Sequence, residues 1–489
     1  MRLFARPTRE EILTGHPIGM MIRIGAPAVV SSILFTLYNL ADAFWIGHLP
    51  GEQSLSVLAG IQSSWPFVWF LISLIGGFGG AAVSALVAQN IGANRTEDAN
   101  HALNQLFTVG VLSGFVLGIT GYLIAPTVIS YLVADPSVAR EATSYLRIIF
   151  LGLHTMLLPG LISFAFQATG DTLTPLVVNL IGIGLNMILD PILILGWNPL
   201  RILGLHGALA QASPPQMGIV GAAIATIIAQ GAAMLIFLAL FLKGRGPLRL
   251  NRSSLHPEWK WMKKALRIGL PAGFGQSSVA FGFMIMTAVI GRLDNAAAAL
   301  AGYGVADRIF GLLFIATDGL GVGLTTMIGQ ALGADLMDRA RELVRRGIVA
   351  LFAIVVVEAA FLYFARIPLV KWFMPGQAEA VHEGARFIQL FAAGMPFLSA
   401  FFAAQAIYRG AGHNMPAMIL GIIRLWVLRI PLSWAFAFLL HMGSDGVWLG
   451  MSLSNVVSGL ASLAWLSTRS WQRSVLEPME EELESEQST

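Results

Sequence analysis

The 489-residue chain contains no cysteine. Disulfides, thiolate metal ligands and thiol redox chemistry are excluded with it. Charge is also scarce. Asp, Glu, Lys and Arg make up 12% of the residues, against about 25% in an ordinary soluble domain. No phosphate-binding Gly-rich loop with its lysine occurs, so the chain has no ATPase of its own. A zinc-protease helix motif and a Ser/His/Asp arrangement are likewise not evident, and an enzyme is not expected. Residues 1–17 are polar and basic and the first apolar run is of span length, so no cleavable signal peptide is expected.

What is present is apolar. Hydrophobic residues make up 56% of the chain, and the mean hydropathy is +0.72. Runs of about 20 or more apolar residues recur throughout, each long enough to cross a hydrocarbon layer of about 30 Å as a helix. The fold class is therefore an all-α polytopic membrane protein. About twelve spans are predicted, near 20–47, 57–87, 103–133, 141–166, 174–196, 217–242, 265–291, 297–329, 347–365, 387–408, 415–440 and 446–468. The pI of 9.3 is no nucleic-acid signal, because the basic residues gather in loops on one side. Arg2, Arg6 and Arg9 precede span one. Eight Lys and Arg residues lie between Lys243 and Arg267, and Arg339, Arg341, Arg345 and Arg346 follow span eight. That side is expected to be cytoplasmic, with both termini on it.

The chain repeats itself. "RIGAPAVVSSILFTLYNLADAFWIGHL" from Arg23 aligns without a gap on "RIGLPAGFGQSSVAFGFMIMTAVIGRL" from Arg267. "VAQNIGA" at 87–93 is echoed by "IGQALGA" at 328–334, and "FQATGDTLTP" at 166–175 by "IYRGAGHNMP" at 407–416. Six spans separate the copies, an even number, so the two halves point the same way and are related by an axis along the membrane normal. The expected organisation is a six-helix N-terminal lobe at 1–242, a basic linker at 243–264, a six-helix C-terminal lobe at 265–468 and a disordered acidic tail at 469–489.

The halves differ where charge enters the oily runs. Asp42 aligns on Met286, and Tyr38 on Gly282. A second acid, Asp190, lies in span five, four residues after Asn186 and so on the same helix face. Pro191 follows it and removes a backbone donor. Counting from the basic side, both acids lie roughly 20–30 Å up. Thr226 and Tyr145, early in the descending spans six and four, reach the same level. Ionised acids facing lipid cost a few kcal/mol, so such groups usually face a bundle interior or a wet cavity. Two close carboxyls can share a proton at neutral pH. With the oxygens of Asn186 and Thr226 they equally suit Na⁺ as hard ligands. The plainer alternative is a static polar knot between helices. Arg424 and Arg429 in "IIRLWVLRIP" are expected to pair with Asp307, Asp318 or Glu358, or to snorkel to an interface. Arg147 is expected to be structural, His48 interfacial, and "GGFGG" at 76–80 a place where helices approach closely.

With "YNLADAFWIG", the paired "GA" motifs, "QATGDTLTP", "LNMILDP" and the six-plus-six repeat, residues 15–468 resemble the multidrug and toxic compound extrusion (MATE) family. The likeness is greatest to the branch named for DNA-damage-inducible protein F. The resemblance implies a V-shaped pair of six-helix lobes exporting amphipathic, mostly cationic organic compounds in exchange for H⁺ or Na⁺. It implies that Asp42, Asn186, Asp190 and Thr226 form the proton or Na⁺ site, with the Ala222 carbonyl as a further ligand. Tyr38, Asn39, Tyr145, Asn179 and Met187 would line the substrate cavity. The stretch 199–216 before span six looks like an insertion, and the acids of the sister branch's second lobe are missing, Val279 standing at one of their places. No cofactor beyond a transported Na⁺ is expected. Drug-like small molecules and membrane lipids are the expected partners, with no nucleic acid, for a monomer in the cell membrane. The alternative is a flippase of related fold for lipids or lipid-linked oligosaccharides.

Overall fold

The computed structural model describes residues 6–49, 70, 73, 77, 79–132, 136–198, 215–243, 248–249, 256–374 and 376–476. Helices account for nearly all of them, and no strand occurs among them. A short amphipathic helix, α1 (Arg9–Thr14), precedes the spans. Its first turn closes reciprocally. Thr8 Oγ1 accepts from the Glu11 amide at 3.2 Å, and the Glu11 carboxylate accepts from the Thr8 amide at 2.9 Å.

The first lobe continues with α2 (Pro17–Gly47), α3 (79–92), α4 (Thr96–Leu132), the bent pair α5 (Pro136–Leu151) and α6 (Leu153–Ala168), α7 (Leu173–Leu195) and α8 (Gly218–Leu242). The second holds α9 (Trp259–Ile290), α10 (Ala296–Gly333), α11 (Met337–Phe373), the bent pair α12 (Ala378–Ala392) and α13 (Met395–Ala411), α14 (Asn414–Leu439) and α15 (Gly443–Ser467). Nine helices are long and apolar enough to cross a membrane, or eleven when each bent pair counts as one span, among the described residues. Eleven of the twelve expected spans are thereby accounted for. Most of the remaining one, 57–87, lies outside the described residues.

The repeat survives in three dimensions. The fourth span of each half is broken beside a glycine, Gly152 or Gly394, with bends of 53° and 61°. The second helix of each bent pair is followed by a left-handed glycine, Gly170 (φ 87°) after α6 and Gly412 (φ 77°) after α13, a backbone region that β-carbons disfavour.

The boundaries differ from expectation in three places. Helix α11 begins at Met337 rather than near 347, so Arg339, Arg341, Arg345 and Arg346 lie on its first turns and not in a loop. Ion pairs Arg339–Glu342 and Arg346–Glu342 sustain that polar start, which apolar periodicity does not register. Helix α9 begins at Trp259, inside the expected linker. The expected free tail also begins later, because Trp471, Val475 and Leu476 are buried. Its acidic part, 477–489, lies outside the described residues.

The lobes meet at one end through a reciprocal pair of contacts. Gln89 Nε2 donates to the carbonyls of Gly410 and Ala411, 3.1 Å each, at the end of α13. Its repeat mate, Gln330, donates to the carbonyl of Ala168 at 2.9 Å, at the end of α6. Helices α3 and α10 cross there almost without separation. A β-carbon on Gly92 would lie 2.1 Å from the Gln330 carbonyl oxygen, and one on Gly333 would lie 1.9 Å from that of Gln89. Only glycine permits that approach. Both terminal segments lie across this end. Arg9 Nε donates to the carbonyls of Ile91 and Gly92 at 3.0 Å, Arg339 donates to that of Gly15, and the Val475 amide donates to Gln89 Oε1 at 2.9 Å.

Candidate cation-coupling site

The acid cluster lies at the opposite end of the first lobe. Asp42 is five residues before the end of α2, and Asp190 five before the end of α7. Each is therefore about 8 Å below its helix terminus at 1.5 Å per residue. On α7 the buried residues Val178, Gly182, Asn186, Asp190 and Ile194 follow a spacing of four, one stripe facing the bundle. Asn186 and Asp190 are fully buried. The next helix is brought against this stripe by a close contact: a β-carbon on Gly221 of α8 would lie 2.4 Å from the Leu193 carbonyl oxygen. The Met217 amide donates to the same oxygen at 3.0 Å. Ala222 and Thr226, one turn apart on α8, are buried as a result.

Tyr38 lies one turn before Asp42, and its hydroxyl is 3.0 Å from Thr226 Oγ1. Tyr145, buried on α5, is within electrostatic reach of both acids. Asp42 and Asp190 interact with each other, and Asp190 with Asn186. The structure thus brings together Tyr38, Asp42, Tyr145, Asn186, Asp190, Ala222 and Thr226, from four helices. Asn179 lies on the same stripe of α7 but about 16 Å from Asp190 along the axis. Met187 is turned off the stripe and 43% exposed. Its carbonyl has lost the usual donor four residues on, because Pro191 has no N–H. The Asn39 side chain lies outside the described residues.

Several atoms of this cluster have no protein partner. Asp42 Oδ1, both Asp190 carboxylate oxygens, Asn186 Oδ1 and Asn186 Nδ2 are buried without a hydrogen bond. Native interiors rarely leave such groups unsatisfied, so each calls for an explanation. The two carboxyls and the Asn186 amide are held side by side by packing, with no further protein partner. That donor set fits a proton shared between carboxyls, or an alkali cation stripped of its water.

The second lobe has no counterpart. Met286 is fully buried in an apolar core. A side chain at Gly282 would collide with Leu425, 2.0 Å from its β-carbon, so no tyrosine fits there. The other intramembrane charges fall mostly as expected. Arg147 stacks on Tyr122 at 5.1 Å, and His48 is exposed beside Phe44 and Trp45. Gly77, within 76–80, lies against the backbone of Ala272 and Gly273. Arg424 and Arg429 do not snorkel: both are buried, Arg429 within electrostatic reach of Asp307 but neither in a direct ion pair among the described residues. They bond instead to Asn455 and Ser454, polar residues of α15 that sequence reading had passed over.

A family model, MatE, matches the chain twice, over residues 27–192 and 271–435. The chain belongs to the MatE family. The two MatE matches begin at Pro27 and Pro271, the same pair that the internal repeat superposes. Among MatE relatives, the probable multidrug resistance protein NorM of Thermotoga maritima is 25% identical over 459 residues, 93% of each chain. The probable multidrug resistance protein YpnP of Bacillus subtilis is 26% identical over 461 residues, 94% of this chain and 96% of its own. A multidrug resistance MATE transporter solved in an outward-facing conformation has the same fold. Its TM-score is 0.82 at 23% identity, over 94% of this chain and 97% of the other. The chain is a multi-span membrane transporter and not an enzyme.

Proposed function

We propose that this transporter is a multidrug efflux antiporter, driven by a cation entering at Asp42 and Asp190. The observation that carries the reading is the open donor set: two interacting carboxyls and one amide, buried among four helices, with five unpartnered polar atoms. An ionised carboxylate in a membrane interior is retained at a cost of a few kcal/mol, which points to a functional role. The end closed by Gln89 and Gln330 is taken as cytoplasmic, from the basic residues gathered there. Both termini are then inside, and the acids face the outer half of the membrane. Occupancy of the acids shifts the balance between outward-open and inward-open states, because a ligand moves such an equilibrium by its differential affinity alone. The site takes Na⁺, with protons competing for the carboxyls. Asn186 and Thr226 supply neutral oxygens, and the Ala222 carbonyl completes the set. Amphipathic organic cations are the exported class.

The test is drug efflux from proteoliposomes with a Na⁺ gradient and a pH gradient imposed separately. Efflux driven by neither gradient refutes the antiport reading.

A further inference from the structure

The second lobe carries charge that the coupling site does not use. Its cavity is lined by Arg409, Arg424 and Arg429 against Asp307 and Asp318, which leaves one positive charge in excess. Arg429 is within electrostatic reach of Asp307, and Arg409 of Asp318. Arg424 has neither. The charged group acting on it is Arg429, a like charge. The two guanidiniums share one acceptor, Asn455 Oδ1, at 3.3 Å from Arg424 Nη1 and 2.6 Å from Arg429 Nη2. Arg424 Nε is buried with no partner, in a side chain only 5% exposed.

The backbone is unusual at the same place. Residues Ile423–Arg429, which carry both arginines, form a π-helix inside α14. Widened turns of this kind are rare and occur disproportionately at functional sites. The rest of the wall is aromatic. The Arg424 guanidinium lies over Phe401 at 4.6 Å and Phe402 at 6.0 Å, and Phe310, Phe314 and Phe391 face the same space. A cation over a ring is attracted to it, yet the ring does not neutralise the charge. A packing network would give a buried guanidinium its carboxylate, because an uncompensated buried charge is strongly destabilising. Arg424 instead lines a cavity of 370 Å³ with no carboxylate beside it.

We propose that this cavity binds an aromatic carboxylate, its anionic group on Arg424 and its rings among the phenylalanines. The planar guanidinium matches a carboxylate, and charge-assisted hydrogen bonds of this type are the strong ones. The site is separate from Asp42 and Asp190 and would extend the transported class to anionic or zwitterionic amphiphiles.

Equilibrium dialysis against the purified full-length protein in detergent tests it, with 2-naphthoate, 2-naphthylmethanol and 2-naphthylmethylammonium as probes. The unaltered protein should bind the acid at least tenfold more tightly than the alcohol, and the ammonium least. Arg424→Gln should lower acid binding to the alcohol's level and leave the alcohol unchanged. Asp190→Asn should keep acid binding even where it has lost transport, which distinguishes failure of this site from failure of the coupling reading. Equal binding of acid and alcohol by the unaltered protein overturns the proposal, whatever the variants do. So does an Arg424→Gln protein that binds the acid normally, or loss of acid binding in Asp190→Asn.

Discussion

Replacing Asp190 by Asn keeps the shape of the side chain and removes one carboxylate from the cluster. A cation about 4 Å from a carboxylate gains about 4 kcal/mol at an effective dielectric constant near 20. Since every 1.4 kcal/mol is tenfold, losing that attraction weakens cation binding by about three orders of magnitude. Moving a two-state transporter from one face to the other needs a bias of about 5.5 kcal/mol. Asp42 alone cannot supply it, and coupled efflux should cease. Stability should move the other way. Burial of the Asp190 charge costs more than its contacts with Asp42 and Asn186 return, so neutralising it should not destabilise the fold. The assay is drug efflux in proteoliposomes beside thermal unfolding in detergent. The expected result is efflux at background with a midpoint unchanged or raised. A lowered midpoint with normal efflux would refute the reasoning and reduce the cluster to a packing element.

Asp42→Asn should behave as Asp190→Asn does, in the same efflux assay. Met286→Leu, at the repeat mate of Asp42, should cost under about 1.5 kcal/mol and leave efflux unchanged, as a volume-conserving swap in an apolar core. Asn186→Ala and Thr226→Ala should each raise the Na⁺ concentration giving half-maximal change in tryptophan fluorescence, with K⁺ as control. Identical responses to Na⁺ and K⁺ from pH 6 to 8, with transport on a pH gradient alone, would leave a proton-only site. Gly333→Ala places a carbon 1.9 Å from the Gln89 carbonyl oxygen and should force the joined end apart. The chain has no cysteine of its own, so one cysteine introduced at Ser474 would report that opening as faster maleimide labelling.

The acids were legible in the sequence because a carboxylate in a long apolar run has few structural excuses. The four-residue spacing of Asn186 and Asp190 put them on one face without further information. Their meeting with Thr226 and Tyr145 also followed, since counting residues along alternating spans placed all of them at one level. The carbonyl ligand from Ala222 and the place of Tyr38 in the cavity came with the family resemblance. Two features escaped. The run "IRLWVLR" reads equally well at 3.6 or at 4.4 residues per turn, so the π-helix and the aim of its arginines were invisible. Gln89 and Gln330 stood out only as repeat motifs, because their partners are backbone carbonyls, which carry no residue signature. One of those lies 321 positions away.

The doubled glutamine contact has a consequence for how the two halves came to differ. A duplicated chain starts with two of everything. In this one the duplicates are still interchangeable at the seam, where each half grips the other with the same residue and yields to it at the same glycine. Away from the seam they have diverged into specialists, one furnished with acids and the other with arginines. A seam of equals can separate and rejoin without favouring either partner. The direction of the cycle is then left to whatever occupies the unequal interiors.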